Sequence, residues 1–235
     1  MTRLRVLSYN VLSLRLGTDR VAAVIRACDP DVVCVQEAPR FFGWRRKCRA
    51  LADAAGLRLV TGGRPAGAVL LLARPSLRVV TTRDVKLPWH PPLHRRGLAI
   101  AVLDAGGREV VFASMHLSLD DAERRAQVDL TLRDLAALAE PAAPAALDRP
   151  VVLAGDVNET PDDESWQVLA EALQDAYAVA PRGDGLTMSA ATPRRRIDAV
   201  FVDRRLRVVS CGVPDVAGLA EASDHRPVLA TLEIT

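Results

Sequence analysis

The sequence predicts one α/β domain, residues 1–235, built on mixed β-sheets. Three observations carry this. Short apolar runs that read as strands outnumber the segments with helical spacing, and the connections between them are of mixed kinds. At 235 residues and 49% hydrophobic, the chain can bury one large core. No internal repeat or low-complexity tract divides it, and PAAPAALDRP (141–150) is too short and too close to buried strands to separate domains.

In chain order, RLRVLSYNVL opens a strand with Asn10 near its end. Asn is a poor strand residue, and no Gly or Pro follows until Gly17 to make this a plain turn. Thr18 or Asp19 caps a helix whose Val21, Val24, Ile25 and Cys28 keep helical spacing, and Asp29-Pro30 stops it. DVVCVQE then forms a buried strand ending in Gln36 and Glu37. A carboxylate just past such an apolar run is costly to bury without a partner or a cation. If these two strands are parallel, Asn10 and Glu37 share one sheet rim. Trp44, Cys48, Leu51, Ala52 and Ala55 predict a second helix closed by Gly56, with Arg45, Arg46 and Lys47 reading first as a solvated face. Strands LRLV, GAVLLLA and LRVVTT follow. Prolines keep KLPWHPPLHRRG in a loop, and Trp89, His90, His94, Arg95 and Arg96 make it the most ligand-like loop of the chain. GLAIAVL and EVVFASM read as a hairpin.

His116 stands immediately past that hairpin, a place where a histidine is more often structural than catalytic. Asp120, Asp121 and Glu123 begin a helix that buries Val128, Leu132, Leu135 and Leu138 or Ala139. The pivotal stretch is VVLAGDVNETPDD, residues 151 to 163. It reads as a buried strand broken by Gly155, with Asp156 and Asn158 projecting together because strand side chains two apart share a side. Thr160 then serves as N-cap and Pro161 as the first helical residue, before an acid-rich first turn. A simple turn is the alternative, since Gly, Asp and Asn all favour turns. Trp166, Leu169, Ala170 and Leu173 mark the next helix. GDGLTMSAATPRRR is a loop, followed by strands IDAVFV and LRVVSCG, the segment SDHRP, and a last strand VLATLEI.

The formal charge of +2 gives no overall basic field that commits the chain to nucleic acid, so any polyanion contact must come from local arginines. The early strand leaves no room for a signal peptide, and no apolar run approaches the roughly 20 residues that span a bilayer. Cys28, Cys34, Cys48 and Cys211 lack metal-like spacing and read as reduced core residues, so a cytoplasmic protein is expected.

Asn10, Glu37, His116, Asp156, Asn158, Asp198, Asp224 and His225 all fall at strand ends. Carboxylates gathered there would repel one another unless a hard cation neutralised them. Oxygen donors of this kind suit Mg²⁺ or Mn²⁺, whereas zinc would ask for more His or Cys. In a loop, Asp224 can face a metal while His225 turns to substrate, and Asp198 would fix the histidine's tautomer and raise its pKa. Such an assembly suits in-line displacement at phosphorus.

SYN, QE, SMHL, GDVNETP, RRRIDAVF and SDHRPV, in this order over residues 5 to 233, resemble the endonuclease/exonuclease/phosphatase superfamily. The resemblance implies a four-layer α/β sandwich, two mixed sheets packed face to face with helices outside. It also implies Mg²⁺, with Mn²⁺ able to substitute, held by Glu37 and Asp224 with Asn10 on metal or phosphate. Asp156 matches the carboxylate that orients and deprotonates the attacking water, and Asn158 the amide on the phosphoryl oxygen. His225, paired with Asp198, matches the histidine on the scissile phosphate. His116 matches a histidine near the leaving group in deoxyribonuclease-like members.

Departures narrow the expectation. Leu12 stands where abasic-site endonucleases carry a metal-side Asp, and no long insertion is present to wrap a duplex. No hydrophobic insertion or basic amphipathic helix suggests a membrane substrate. Arg95, Arg96 and Arg196 are candidate phosphate clamps, because arginine's fork suits phosphate bidentately. The expectation is a monomeric, Mg²⁺-dependent phosphoesterase, a nuclease-like phosphodiesterase on DNA or RNA first. A hydrolase of a small soluble phosphate ester comes second, and a catalytically silent binding module third.

Overall fold

The computed structural model describes residues 2–140 and 149–234, so most of the expected linker at 141–150 lies outside the described residues. β1 (Thr2–Asn10), α1 (Thr18–Cys28), β2 (Val32–Gln36) and α2 (Trp44–Ala54) open the chain. Next come β3 (Arg58–Gly63), β4 (Val69–Ala73), β5 (Arg78–Lys86), β6 (Gly97–Asp104), β7 (Glu109–His116) and α3 (Asp121–Ala139). β8 (Val151–Asp156), α4 (Glu164–Ala172), β9 (Gln174–Asp175), α5 (Ala176–Val179) and β10 (Pro181–Arg182) follow. β11 (Asp198–Val202), β12 (Arg207–Gly212), α6 (Leu219–Ala222) and β13 (Val228–Ile234) close it.

These strands build two mixed sheets, ordered β10-β12-β13-β1-β2-β4-β3 and β5-β6-β7-β8-β11-β9. β1 and β2 are parallel, as are β7 and β8, while β1 pairs β13 antiparallel. One core lies between the sheets. Outside the first sheet, α1 and α2 pack on a second core; α3 and α4 cover a third, outside the other sheet. This is the four-layer sandwich that the resemblance implies. Among the described residues no helix is long and apolar enough to cross a membrane. All four cysteines are free and buried.

Side-chain alternation explains both the apolar runs and the place of the site. Val32 and Cys34 of β2 face the inter-sheet core while Val33 and Val35 face the helices, so each central strand needs apolar residues on both faces. Val152 and Ala154 of β8, Phe112 of β7 and Val200 of β11 likewise point between the sheets. Counting on by twos from these brings Asp156, His116 and Asp198 to the same inner face. Asn10 continues the Leu4–Val6 series of the opposing sheet. At one rim the core therefore changes from apolar to polar. Just below, Gln36 Nε2 donates to Ser114 Oγ across the sheets at 3.3 Å.

Several local expectations are corrected. Gly17, not Thr18 or Asp19, precedes α1, with no side-chain cap. Gly155 does not break its strand; it lies inside β8, at a position that requires glycine because a Cβ there would sit 2.0 Å from the Met115 carbonyl oxygen of the adjacent strand. The expected Thr160 cap is a turn instead, in which the Asp163 carboxylate accepts from Thr160 N and Oγ1, both at 2.8 Å. α4 starts at Glu164, where buried Glu159 accepts from Trp166 N at 3.2 Å. α3 begins as predicted, with Asp120 accepting from Glu123 N. It also buries polar residues, among them Arg124, whose Nε donates to Glu159 Oε1 at 2.6 Å.

Candidate active site

The rim residues converge on Asp156. Its Oδ2 accepts from Asn10 Nδ2 at 3.1 Å and its Oδ1 from Asn158 N at 3.0 Å. His116 Nε2 and His225 Nε2 stand 3.4 and 3.8 Å from Oδ2. β-sheet register accounts for much of this, since Asp156 is directly opposite His116 on one side and Asp198 on the other. Expected to project from a continuing strand, Asn158 instead turns back with φ 59°. Its Nδ2 donates to Leu117 O at 2.9 Å, which leaves the second amide hydrogen for a ligand.

The two histidines are set oppositely by their partners. Arginine can only donate, so the 3.0 Å contact from Arg96 Nη1 makes His116 Nδ1 an acceptor and leaves the proton on Nε2, towards Asp156. Burial and the Arg96 charge hold His116 well below the usual histidine range. His225 Nδ1 donates to Asp198 Oδ2 at 2.9 Å. Burial opposes the charge on His225, but Asp198, Asp156 and Asp224 outweigh it and push its pKa up to about 10. Burial and the neighbouring Asp198 raise Asp156 to about 7, against the pull of His225 and Asn10.

These groups face a cavity of about 310 Å³, which Glu37, Arg96, His116, Asp156, Asn158 and Asp224 help to line. Ser13, Glu37, Ala68 and Asn158, also on its wall, have positive φ of 53°, 51°, 71° and 59°. Non-glycine residues held in this region cost on the order of 1–3 kcal/mol each and concentrate at functional sites. Arg40 joins the wall unforeseen; it carries no signal beyond its place three residues after Glu37.

A model of the Endonuclease/Exonuclease/phosphatase family matches residues 7–225. The chain belongs to this family. The family's chemistry is hydrolysis of phosphoester bonds, generally dependent on a divalent metal. Among solved structures, a family protein from Bacteroides vulgatus is 23% identical with a TM-score of 0.83, covering 100% of both chains. A mannosyl-6-phosphatase of Bacteroides thetaiotaomicron VPI-5482 is 19% identical, also with a TM-score of 0.83, covering 98% of this chain and 100% of that one. A family protein from Beutenbergia cavernae DSM 12333 is 26% identical with a TM-score of 0.75, covering 100% of this chain and 72% of that one. No curated protein matches.

For a member of this family, the donors fit a hard cation. Glu37 and Asp224 bring two carboxylates to the cavity that holds Asp156, and Asp198 Oδ1 is buried without a hydrogen-bond partner. Among the described residues, Asp156, Asp198 and His225 also hold donor atoms within 4.8 Å of one another. The His225 Nδ1–Asp198 Oδ2 bond ties that trio internally, so Glu37 and Asp224 are the carboxylates the cavity offers outside it. Asn10 is buried beneath the cavity, its amide oxygen accepting from Leu12 N at 3.1 Å.

Of the three candidate phosphate clamps, the structure brings Arg96 to the cavity. Arg95 lies over the Trp89 ring at 4.0 Å, beside the cavity and not on its wall. Arg196 is a correction. Its Nη1 donates to Asp175 Oδ2 at 2.8 Å, with Trp166 and Tyr177 against its guanidinium at 4.6 and 4.8 Å. Buried Asp175 needs a cation more than the loop does.

Proposed function

We propose that this chain is a Mg²⁺-dependent phosphodiesterase of the nuclease kind. The observation that carries the reading is the convergence on Asp156 of Asn10, Asn158 and both histidines, in a cavity shared with two further carboxylates. In this reading Asp156 orients a water and takes its proton. Raised towards neutrality, it is matched to that task at physiological pH. His225, kept charged by Asp198, offers a positive Nε2–H to a phosphoryl oxygen. Asn158 adds its second amide hydrogen, and neutral His116 donates from Nε2. Glu37 and Asp224 would hold Mg²⁺, which when bound neutralises phosphate charge and polarises the phosphoryl group.

A diester is favoured because the cavity is not closed. It shares Arg40, Phe41, Gly67, Ala68 and His94 with a larger groove of about 740 Å³. The second reading, a phosphatase of a small ester, draws support from the similarity to the mannosyl-6-phosphatase.

Nicking of supercoiled plasmid in Mg²⁺ tests the proposal, with EDTA, Asp156→Asn and His225→Ala as controls. We expect nicking that EDTA abolishes and that each substitution slows by about 10³. If folded protein leaves plasmid and single strands intact yet hydrolyses sugar phosphates in Mg²⁺, the small-ester reading replaces the nuclease one.

A further inference from the structure

The loop between β2 and α2 carries two phenylalanines that none of the three cores takes up, Phe41 with the Arg40 guanidinium over its ring at 5.3 Å. Phe41 is 78% and Phe42 101% exposed, an unusual placement for large apolar side chains. Both line the groove of about 740 Å³ that runs into the catalytic cavity. Five arginines line it too: Arg40, Arg45, Arg46, Arg64 and Arg95. Among the described residues no carboxylate does. A chain with a net charge of only +2 thus concentrates positive charge beside its active site.

The groove is also built in advance. Trp44 at the start of α2 packs against Gly63, where a Cβ would come 2.2 Å from the indole ring, so only glycine admits this packing. Arg45 stacks over Trp44 at 4.5 Å, and Arg40 Nη2 meets His94 Nδ1 at 3.0 Å. These contacts hold the aromatic wall next to the charged one.

We propose that this groove is a subsite for single-stranded polynucleotide, in which unpaired bases stack on Phe41 and Phe42 while the arginines follow the flanking phosphates. The proposal deepens the nuclease reading and rests on it for the direction of the strand, into the cavity. Stacking of successive bases on aromatics beside a basic track is how single strands are held without sequence preference, and paired bases cannot offer their faces. Exposed aromatics near arginines also suit an anionic membrane surface. The strand is favoured because Phe41 lines the catalytic cavity as well as the groove, so an occupant of one continues into the other.

Binding of fluorescent single strands of DNA and RNA, roughly 12 nucleotides long to span one such site, tests this apart from catalysis when anisotropy is read in EDTA. A duplex of the same sequence and phosphatidylserine vesicles are the comparison arms. We expect the single strands to bind at least tenfold more tightly than the duplex. Phe41→Ala/Phe42→Ala should weaken them about tenfold or more, with the unfolding midpoint unchanged because neither ring is buried. Arg45→Gln/Arg46→Gln should flatten the salt dependence, by a slope of about 0.7 for each phosphate no longer neutralised. Equal affinity for duplex and single strand, or strand binding indifferent to the phenylalanines, overturns the proposal. So does vesicle binding that the double substitution removes while strand binding stays. Hydrolysis of the same strands in Mg²⁺ is read separately. Phenylalanine-dependent binding without hydrolysis sinks the nuclease function and leaves the subsite; hydrolysis with phenylalanine-independent binding does the reverse.

Discussion

Single residues in this protein are assigned by their partners more than by their type. Asp156, Asp198 and Asp175 are all buried aspartates near one another in sequence or sheet. Yet one collects neutral donors, one a histidine and one an arginine. Arg196 shows why sequence misleads at this scale: three arginines in a row look alike, and only packing reveals that the third is sequestered by Asp175 and two rings. Breaking a buried ion pair by removing one partner is strongly destabilising. Arg196→Met should therefore lose about 3 kcal/mol in urea unfolding, with kcat on a phosphodiester within about twofold of the parent. A large loss of kcat at unchanged stability would return Arg196 to the site. By contrast, Asp156, Asn158 and His225 are legible as candidates because polar residues placed just beyond apolar runs have few structural explanations.

At the scale of elements, alternation is the strongest guide and local turn chemistry the weakest. Continuous apolar runs mark strands buried on both faces, and β1, β2, β7, β8, β11 and β13 lie where those runs are. The start of α4 escapes sequence reading because Thr160-Pro161 satisfies a helix-entry pattern while Asp163 and Glu159 capture the backbone donors first. Gly155 escapes it because the reason for a glycine there, the Met115 carbonyl, lies on another strand. Gly155→Ala forces a Cβ against that carbonyl, and overpacking of this kind costs about 1–3 kcal/mol or more. A lower unfolding midpoint is expected, together with reduced turnover, since Asp156 is the next residue. An alanine variant with parental stability would show that β7 and β8 can part without cost.

The whole molecule brings two polar rims together, and its stability should record the strain of doing so. Asp156, raised to about 7, keeps its proton in the folded state over a range where the unfolded chain has lost it. His225, raised to about 10, keeps its proton above the ordinary histidine range. In both windows the folded state binds more protons, so these groups make metal-free stability fall as pH rises from about 4 towards 10. On the proposed Glu37 and Asp224 site, Mg²⁺ would bind the folded form and favour deprotonated carboxylates. Its addition should raise the unfolding temperature more at about pH 8 than at about pH 5, readable by scanning calorimetry with and without EDTA. A Mg²⁺ effect that shrinks as pH rises would contradict this arrangement of carboxylates.

By itself the sequence determined the longer strands, α1 to α4 and the polar residues that end the strands, but not the two-residue β9 and β10 or the short α5 and α6, because periodicity and the cost of burying a charge are local rules that need several residues to register. Tertiary structure alone decided which of those residues meet. Asn10 and Asp156 are 146 positions apart and belong to different sheets, yet lie 3.1 Å apart. Their contact depends on two sheets packing face to face with their polar ends at one rim. The groove beside them is equally invisible in one dimension, since the Arg40-Phe41 loop, Arg64 and Arg95 belong to three separate segments that only the packed sandwich brings side by side. A charge run or an exposed aromatic acquires a meaning when the fold places a cavity next to it.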